Sequence, residues 1–230
     1  MTTTSLRLQE NKQFFFHVKD PVSAGTHFAG FLCAIAAMPA LLIHASQLGA
    51  TRIELISYTV FMLSMVLLYG ASTAYHTFIV SKKTEGLLKR IDHMSICVLI
   101  AGTYTPFCVV ALPPQTGNIL LGLVWTLAGL GMLFKLFWVY CPKWVSSVIY
   151  IAMGWTAIIF LPQLVNALPT GAFILLLLGG LLYSVGAIIY ALKLKLFTSK
   201  SFGNHELFHC FVLAGTLCHF LCIYIYVCML

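Results

Sequence analysis

Residues 205–230 read HELFHCFVLAGTLCHFLCIYIYVCML. After Glu206 the stretch holds no Asp, Glu, Lys or Arg. It is longer than the roughly 20 apolar residues that cross a bilayer core, so it reads as a membrane-spanning helix. Its first turn nevertheless carries two imidazoles, His205 and His209. They are four residues apart and therefore share one helix face. Ionisable groups inside a span are costly and mark function by default.

The rest of the chain follows the same pattern. Of 230 residues, 60% are hydrophobic and 8% are charged, against about 25% charged in soluble domains. The composition is that of an all-α integral membrane protein. Apolar runs fall at about 22–45, 55–80, 91–112, 117–139, 145–165, 171–192 and 203–228. Gly- and Pro-bearing separators such as GATRIE, PPQTG and LPTG divide them. Seven spans leave no room for a soluble domain. The expected organisation is a cytoplasmic segment over 1–20 and one seven-helix transmembrane domain over 21–230. Residues 1–20 are polar to mixed and lack the apolar core of a cleaved secretory signal. Pro39, Pro106 and Pro162 fall inside spans, where neighbouring helices can satisfy the freed backbone groups.

The net charge of +7 is accounted for by loop asymmetry, and nucleic acid is not an expected partner. Arg7, Lys12 and Lys19 precede the first span. Lys82, Lys83, Lys89 and Arg90 follow the second, Lys135 and Lys143 the fourth, and Lys193, Lys195 and Lys200 the sixth. Arg52 alone lies on the opposite face, so the split is twelve to one. The positive-inside rule then sets the N-terminus in the cytoplasm and the C-terminus outside. The eight cysteines lie mostly within apolar runs, without metal-type C-x-x-C pairs. They read as small buried hydrophobes.

With this topology the unusual polar residues converge. His76, near the end of the second span, lies about 9 Å from Lys82 at 1.5 Å per residue. Ser72 is one turn before it on the same face. Asp92 opens the third span. His205 and His209 lie roughly 8 and 14 Å beyond Lys200. All five reach the inner leaflet at similar depth. Three imidazoles are good zinc ligands, and three protein ligands with a fourth place left for water form the catalytic pattern. Asp92 could be a further ligand, but it better suits an outer acceptor or a base holding a water, and Ser72 could orient that water or a substrate carbonyl. The plainer readings are a capping or Arg90-paired Asp92, a Ser72 bonded to its own helix, and an H-x-x-x-H that is weak in isolation. The other histidines read differently. His17 belongs to the tail, and His27 and His44 serve interhelical contacts as readily as function. His93, beside Asp92, is expected to point elsewhere, and His219 to sit in the core. Glu206 suits the helix N-terminus, with Asn204 as a cap.

The motif set S-x-x-x-H, Asp and H-x-x-x-H, with DHMSICVLIAGTYTPF at 92–107, resembles the hemolysin III branch of the progestin and adipoQ receptor superfamily. The same pattern recurs in alkaline ceramidases. The resemblance covers about residues 20–228. It implies a seven-helix bundle and zinc on His76, His205 and His209, with Asp92 and Ser72 beside the metal. It also implies a bacterial cytoplasmic membrane and a membrane lipid or fatty-acid-like ligand. From the related branches it suggests a zinc-dependent hydrolase of lipid amides or esters. The hemolysin III branch instead suggests membrane-lipid or energetic homeostasis, sensing or cytolytic pore-like activity, with zinc in a structural role. A hormone-receptor role is not expected, since the long N-terminal domain of the adiponectin receptors has no counterpart here. A retinal pump is excluded by the lack of a lysine in the seventh span. A channel finds little support, since no span carries a ladder of charges.

Overall fold

The computed structural model describes residues 17–192 and 202–230. Arg7, Lys12, Lys193, Lys195 and Lys200, which enter the charge count, lie outside the described residues. The helices are α1 (Pro21–Gln47), α2 (Arg52–Thr77), α3 (Lys82–Pro106), α4 (Pro114–Phe137), α5 (Lys143–Gly154), α6 (Leu161–Ala167), α7 (Thr170–Leu192) and α8 (Asn204–Ile225). A π-helical turn, Phe107–Ala111, extends α3, and a 3-10 segment, Trp155–Phe160, joins α5 to α6 into one crossing. Seven crossings result, each long and apolar enough to span a membrane. This matches the expected seven-helix bundle.

Local chemistry sets the ends. Thr51 caps α2, accepting from the Glu54 amide at 3.4 Å while Glu54 accepts from the Thr51 amide at 2.7 Å, a capping box. Ser81 caps α3 at 3.3 Å from the Thr84 amide. The expected ends differ here: α2 stops at Thr77, not near residue 80, and α3 begins at Lys82, not near 91. The charged stretch Lys82–Arg90 therefore reads as a loop by hydropathy but forms the first turns of a helix. Asp92 consequently lies in the third turn of α3 and not at its start.

The fifth crossing breaks for a covalent reason. Pro162 has no N–H to give the Ile158 carbonyl, and that carbonyl accepts from the Leu161 amide in a tighter turn instead. Tyr104 of α3 covers the break. Its hydroxyl donates to the Gly154 carbonyl at 2.5 Å and accepts from the Ala157 amide at 2.9 Å. Trp155 adds a bond from Nε1 to Ser184 Oγ of α7 at 2.9 Å.

The helices pack as a closed ring. α1 touches both α2 and α8, α2 packs on α3, α3 on α4 and α5, α5 on α7, and α7 on α8. Tyr58, Phe61, Met62, Leu120, Val124 and Ile223 form the dense core. Apolar residues also cover the outside, Ile43, Leu133 and Ile174 among them, as suits helices facing lipid. Close approach relies on small residues: a Cβ at Gly102 would collide with Ser64, and one at Gly117 with the Cys108 carbonyl. One end of the bundle gathers lysines from several helices. There Lys19 pairs with Glu85 at 3.1 Å, and Lys89 lies 4.3 Å from the Tyr140 ring centroid. Arg52 begins α2 at the other end.

Candidate metal centre and the adjoining cavity

The last turn of α2 and the first turns of α8 meet at the lysine-rich end. One ring nitrogen each of His76, His205 and His209 lies within 4.8 Å of the other two. The Nε2 atoms of His76 and His205 are 3.1 Å apart. Tetrahedral zinc with bonds of about 2.0–2.1 Å separates its nitrogen ligands by roughly 3.3 Å, so this spacing is of the right size. His76 and His209 are buried and His205 is half-buried. The His209 Nδ1 and His205 Nδ1 atoms have no hydrogen-bond partner. Three imidazoles, two of them buried, with one ring nitrogen each this close together suit a borderline-soft cation.

Asp20, which the sequence reading passed over, orients the first of these rings. It sits just before Pro21 and α1. Its Oδ2 is 2.9 Å from His76 Nδ1. The acceptor is a carboxylate, so Nδ1 carries the proton and the Nε2 lone pair is left facing His205. This is the outer support that metal-binding histidines generally have. The backbone fixes Asp20 in turn: its amide donates to the His76 carbonyl at 2.9 Å, and the Lys19 amide donates to the Thr77 carbonyl at 3.2 Å. The local signal was a carboxylate at the start of a span. Its partner lay on another helix, and no spacing rule connects them.

His27 of α1 is the second unforeseen neighbour. Its ring stacks on His209, with centroids 3.7 Å apart and planes at 13°. It is buried and neither nitrogen has a partner. Glu206 does reach the helix N-terminus, accepting from the Gly203 amide at 2.9 Å. It also accepts from Ser23 Oγ at 2.9 Å, which ties α8 to α1. Asn204 is the first residue of α8 and not its cap.

Asp92 stands apart from the ligand cluster, since none of its carboxylate oxygens joins that group; Ser72 and Asp92 share the wall of the adjoining cavity. Both are buried. The Ser72 hydroxyl makes no hydrogen bond to any partner. The plainer readings of these two residues fail: Ser72 does not bond its own helix, and Arg90 donates from Nε to the Leu136 carbonyl at 3.0 Å. His93 does not point away as expected. It shares the cavity wall with Asp92.

That cavity, of about 370 Å³, runs from this polar end into the bundle between α3, α5, α7 and α8. The volume falls in the range of small-ligand pockets. Ser72, Asp92, His205 and His209 border it, and Leu99, Phe107, Leu164 and Leu176 are among its apolar walls. His76 lies outside the lining. His219, expected in the core, is buried and borders the cavity, with Nε2 3.2 Å from the Leu176 carbonyl. His44 stacks on Tyr224, centroids 4.4 Å apart. The cysteines are all unpaired; Cys33 is exposed, Cys210 and Cys218 are half-buried, and the others are buried.

Known proteins resemble the chain over most of its length. A hemolysin-3 homolog of Bacillus subtilis (strain 168) is 42% identical over 212 residues, 92% of this chain and 96% of that protein. A hemolysin-3 of Bacillus cereus is 42% identical over 211 residues, 91% of this chain and 93% of that protein. The model of the family described as haemolysin-III related matches residues 15–220. With seven crossings, a histidine cluster and this match, the chain belongs to the haemolysin-III related family of membrane proteins.

Proposed function

We propose that this protein binds a zinc ion through His76, His205 and His209 and takes up a membrane lipid or fatty-acid-like ligand in the adjoining cavity. It would then act as a hemolysin III-type protein in membrane-lipid or energetic homeostasis or sensing. The observation that carries the reading is the pair of facing Nε2 atoms, 3.1 Å apart on helices far separated in sequence, beside a lipid-sized apolar cavity. A zinc ion there would supply Lewis acidity and a fixed positive charge. The protein's own residues do the rest. Asp20 holds the His76 ring, His27 packs flat on His209, and the apolar walls exclude water from the acyl chain. The lysine-rich end faces the cytoplasm in this reading, supported by the loop asymmetry, and the membrane is the bacterial cytoplasmic one, supported by the Bacillus relatives.

A second reading is favoured by one observation. Asp92 and Ser72 border the same cavity as His205 and His209. A lipid amide or ester lying there has a carboxyl group able to accept a proton on one side and a hydroxyl donor beside it. That arrangement supports a hydrolase. Pore-like activity, suggested by the relatives' names, has less support, because the cavity wall is mostly apolar.

Elemental analysis of purified protein against the His205→Ala/His209→Ala variant tests the metal site, with one equivalent of zinc expected in the first and loss in the second. Mass spectrometry of copurified lipid tests the ligand. Incubation with membrane lipids separates the two readings: intact lipids with full zinc leave the binding role standing and remove the hydrolase.

A further inference from the structure

Lys135, in the last turn of α4, is fully buried. Its Nζ donates to Cys141 Sγ at 3.2 Å and to the Ser146 hydroxyl. The sulfur and the hydroxyl are 3.3 Å apart. The rings of Phe134 and Tyr150 stand nearby, each centroid 5.5 Å from Nζ. Among the described residues no carboxylate lies within ion-pair distance of this ammonium. Four of the acids are engaged elsewhere, Asp20 with His76, Glu85 with Lys19, Glu54 in the α2 cap and Glu206 with Ser23 and Gly203, and Asp92 borders the cavity without an ion-pair partner among the described residues. Glu10 lies outside the described residues. A buried charge is ordinarily paired or bound to an ion, and here the partners are a cysteine sulfur and a hydroxyl, with no carboxylate among them. The C-terminal carbonyls of α4 supply some negative field, but they do not make an ion pair.

Ser146 connects the ammonium to the cavity. It is buried in the first turn of α5 and forms part of the cavity wall with Ser147 and Tyr150. Its oxygen accepts from Lys135, so its own proton is left to Cys141 or to the cavity. We propose that Lys135, acting through Ser146, is an anion subsite that receives the carboxylate or phosphate of a single-chain lipid whose tail fills the cavity. The cavity behind Ser146 is mostly apolar, so a ligand that sets an anion at Ser146 and fills that space carries an apolar chain. The compact ammonium suits either oxyanion as a point charge. The subsite rests on the ligand half of the proposed function and is independent of the metal.

The test is binding of palmitate, hexadecanol and lysophosphatidate of equal chain length to full-length protein in detergent. The wild type should bind one of the anions at least about tenfold more tightly than the neutral alcohol, the scale of a hydrogen bond to a charged group. Tighter palmitate assigns a carboxylate, and tighter lysophosphatidate a phosphate. Lys135→Met should bring anion and alcohol within about threefold, and Ser146→Ala, a smaller change with less risk to folding, should give an intermediate preference. Equal wild-type binding of all three overturns the subsite. So does a preference that survives Lys135→Met or Ser146→Ala unchanged. A preference lost in His205→Ala/His209→Ala but kept in Lys135→Met places the anion at the histidines, refuting this proposal and leaving the proposed function intact. If no acyl probe binds the wild type, the ligand half of that function fails with it.

Discussion

Replacing Asp20 by alanine removes the acceptor that fixes the His76 tautomer. The carboxylate is 2.9 Å from Nδ1, and without it the ring can rotate or place its proton on Nε2, the atom that faces His205. Loss of such an outer partner generally lowers metal affinity by about 10–100-fold. The Asp20 side chain is 42% exposed, so water competes for the same hydrogen bond and the lower end applies. The expected loss is about tenfold, or roughly 1.4 kcal/mol. Asp20→Asn keeps a neutral acceptor and should lose only about threefold. The backbone bonds from Lys19 and Asp20 to α2 do not involve the side chain, so the start of α1 should hold in both variants. Competition against a chromophoric zinc chelator measures the affinities, and a thermal melt checks the fold. Wild-type affinity in Asp20→Ala, within twofold, would refute the argument that this carboxylate orients the ring.

Three further outcomes are expected. At a free zinc concentration about 100 times its dissociation constant, binding adds about 2.7 kcal/mol of stability; the wild-type melting temperature should therefore rise with zinc, and that of His205→Ala/His209→Ala should not. Tyr104→Phe strips the Gly154 carbonyl and the Ala157 amide of their partner at the break in the fifth crossing, for a loss of about 2 kcal/mol in thermal or denaturant unfolding. Gly117→Ala drives a methyl into the Cys108 carbonyl and should cost about 1–3 kcal/mol by the same measurement, whereas Gly122→Ala, with open space around it, should be nearly neutral.

Hydropathy made the seven crossings legible, because each apolar run is long enough to cross the hydrocarbon core. It misplaced the start of α3, because the charge-rich stretch Lys82–Arg90 forms the first turns of the helix. Depth matching brought His76, His205 and His209 together correctly, although α2 ends sooner than the arithmetic assumed. It could not find Asp20 or His27, whose partners sit on other helices at distances no periodicity encodes. His93 was misjudged for a geometric reason: neighbouring residues differ by about 100° around a helix, and this cavity is broad enough to touch both. Lys135 was counted as a loop cation. A count of charges registers a lysine near the end of a span and says nothing of which way it turns.

The histidine cluster joins positions 129 residues apart, and the seventh crossing provides two of its three rings. During synthesis the second crossing reaches the membrane long before α8. A nascent chain halted ahead of residue 204 would hold one imidazole and a groove open along the missing helix. Capture of the proposed ion would therefore wait until α8 slots between α1 and α7, and a bound ion would report that these helices have come together.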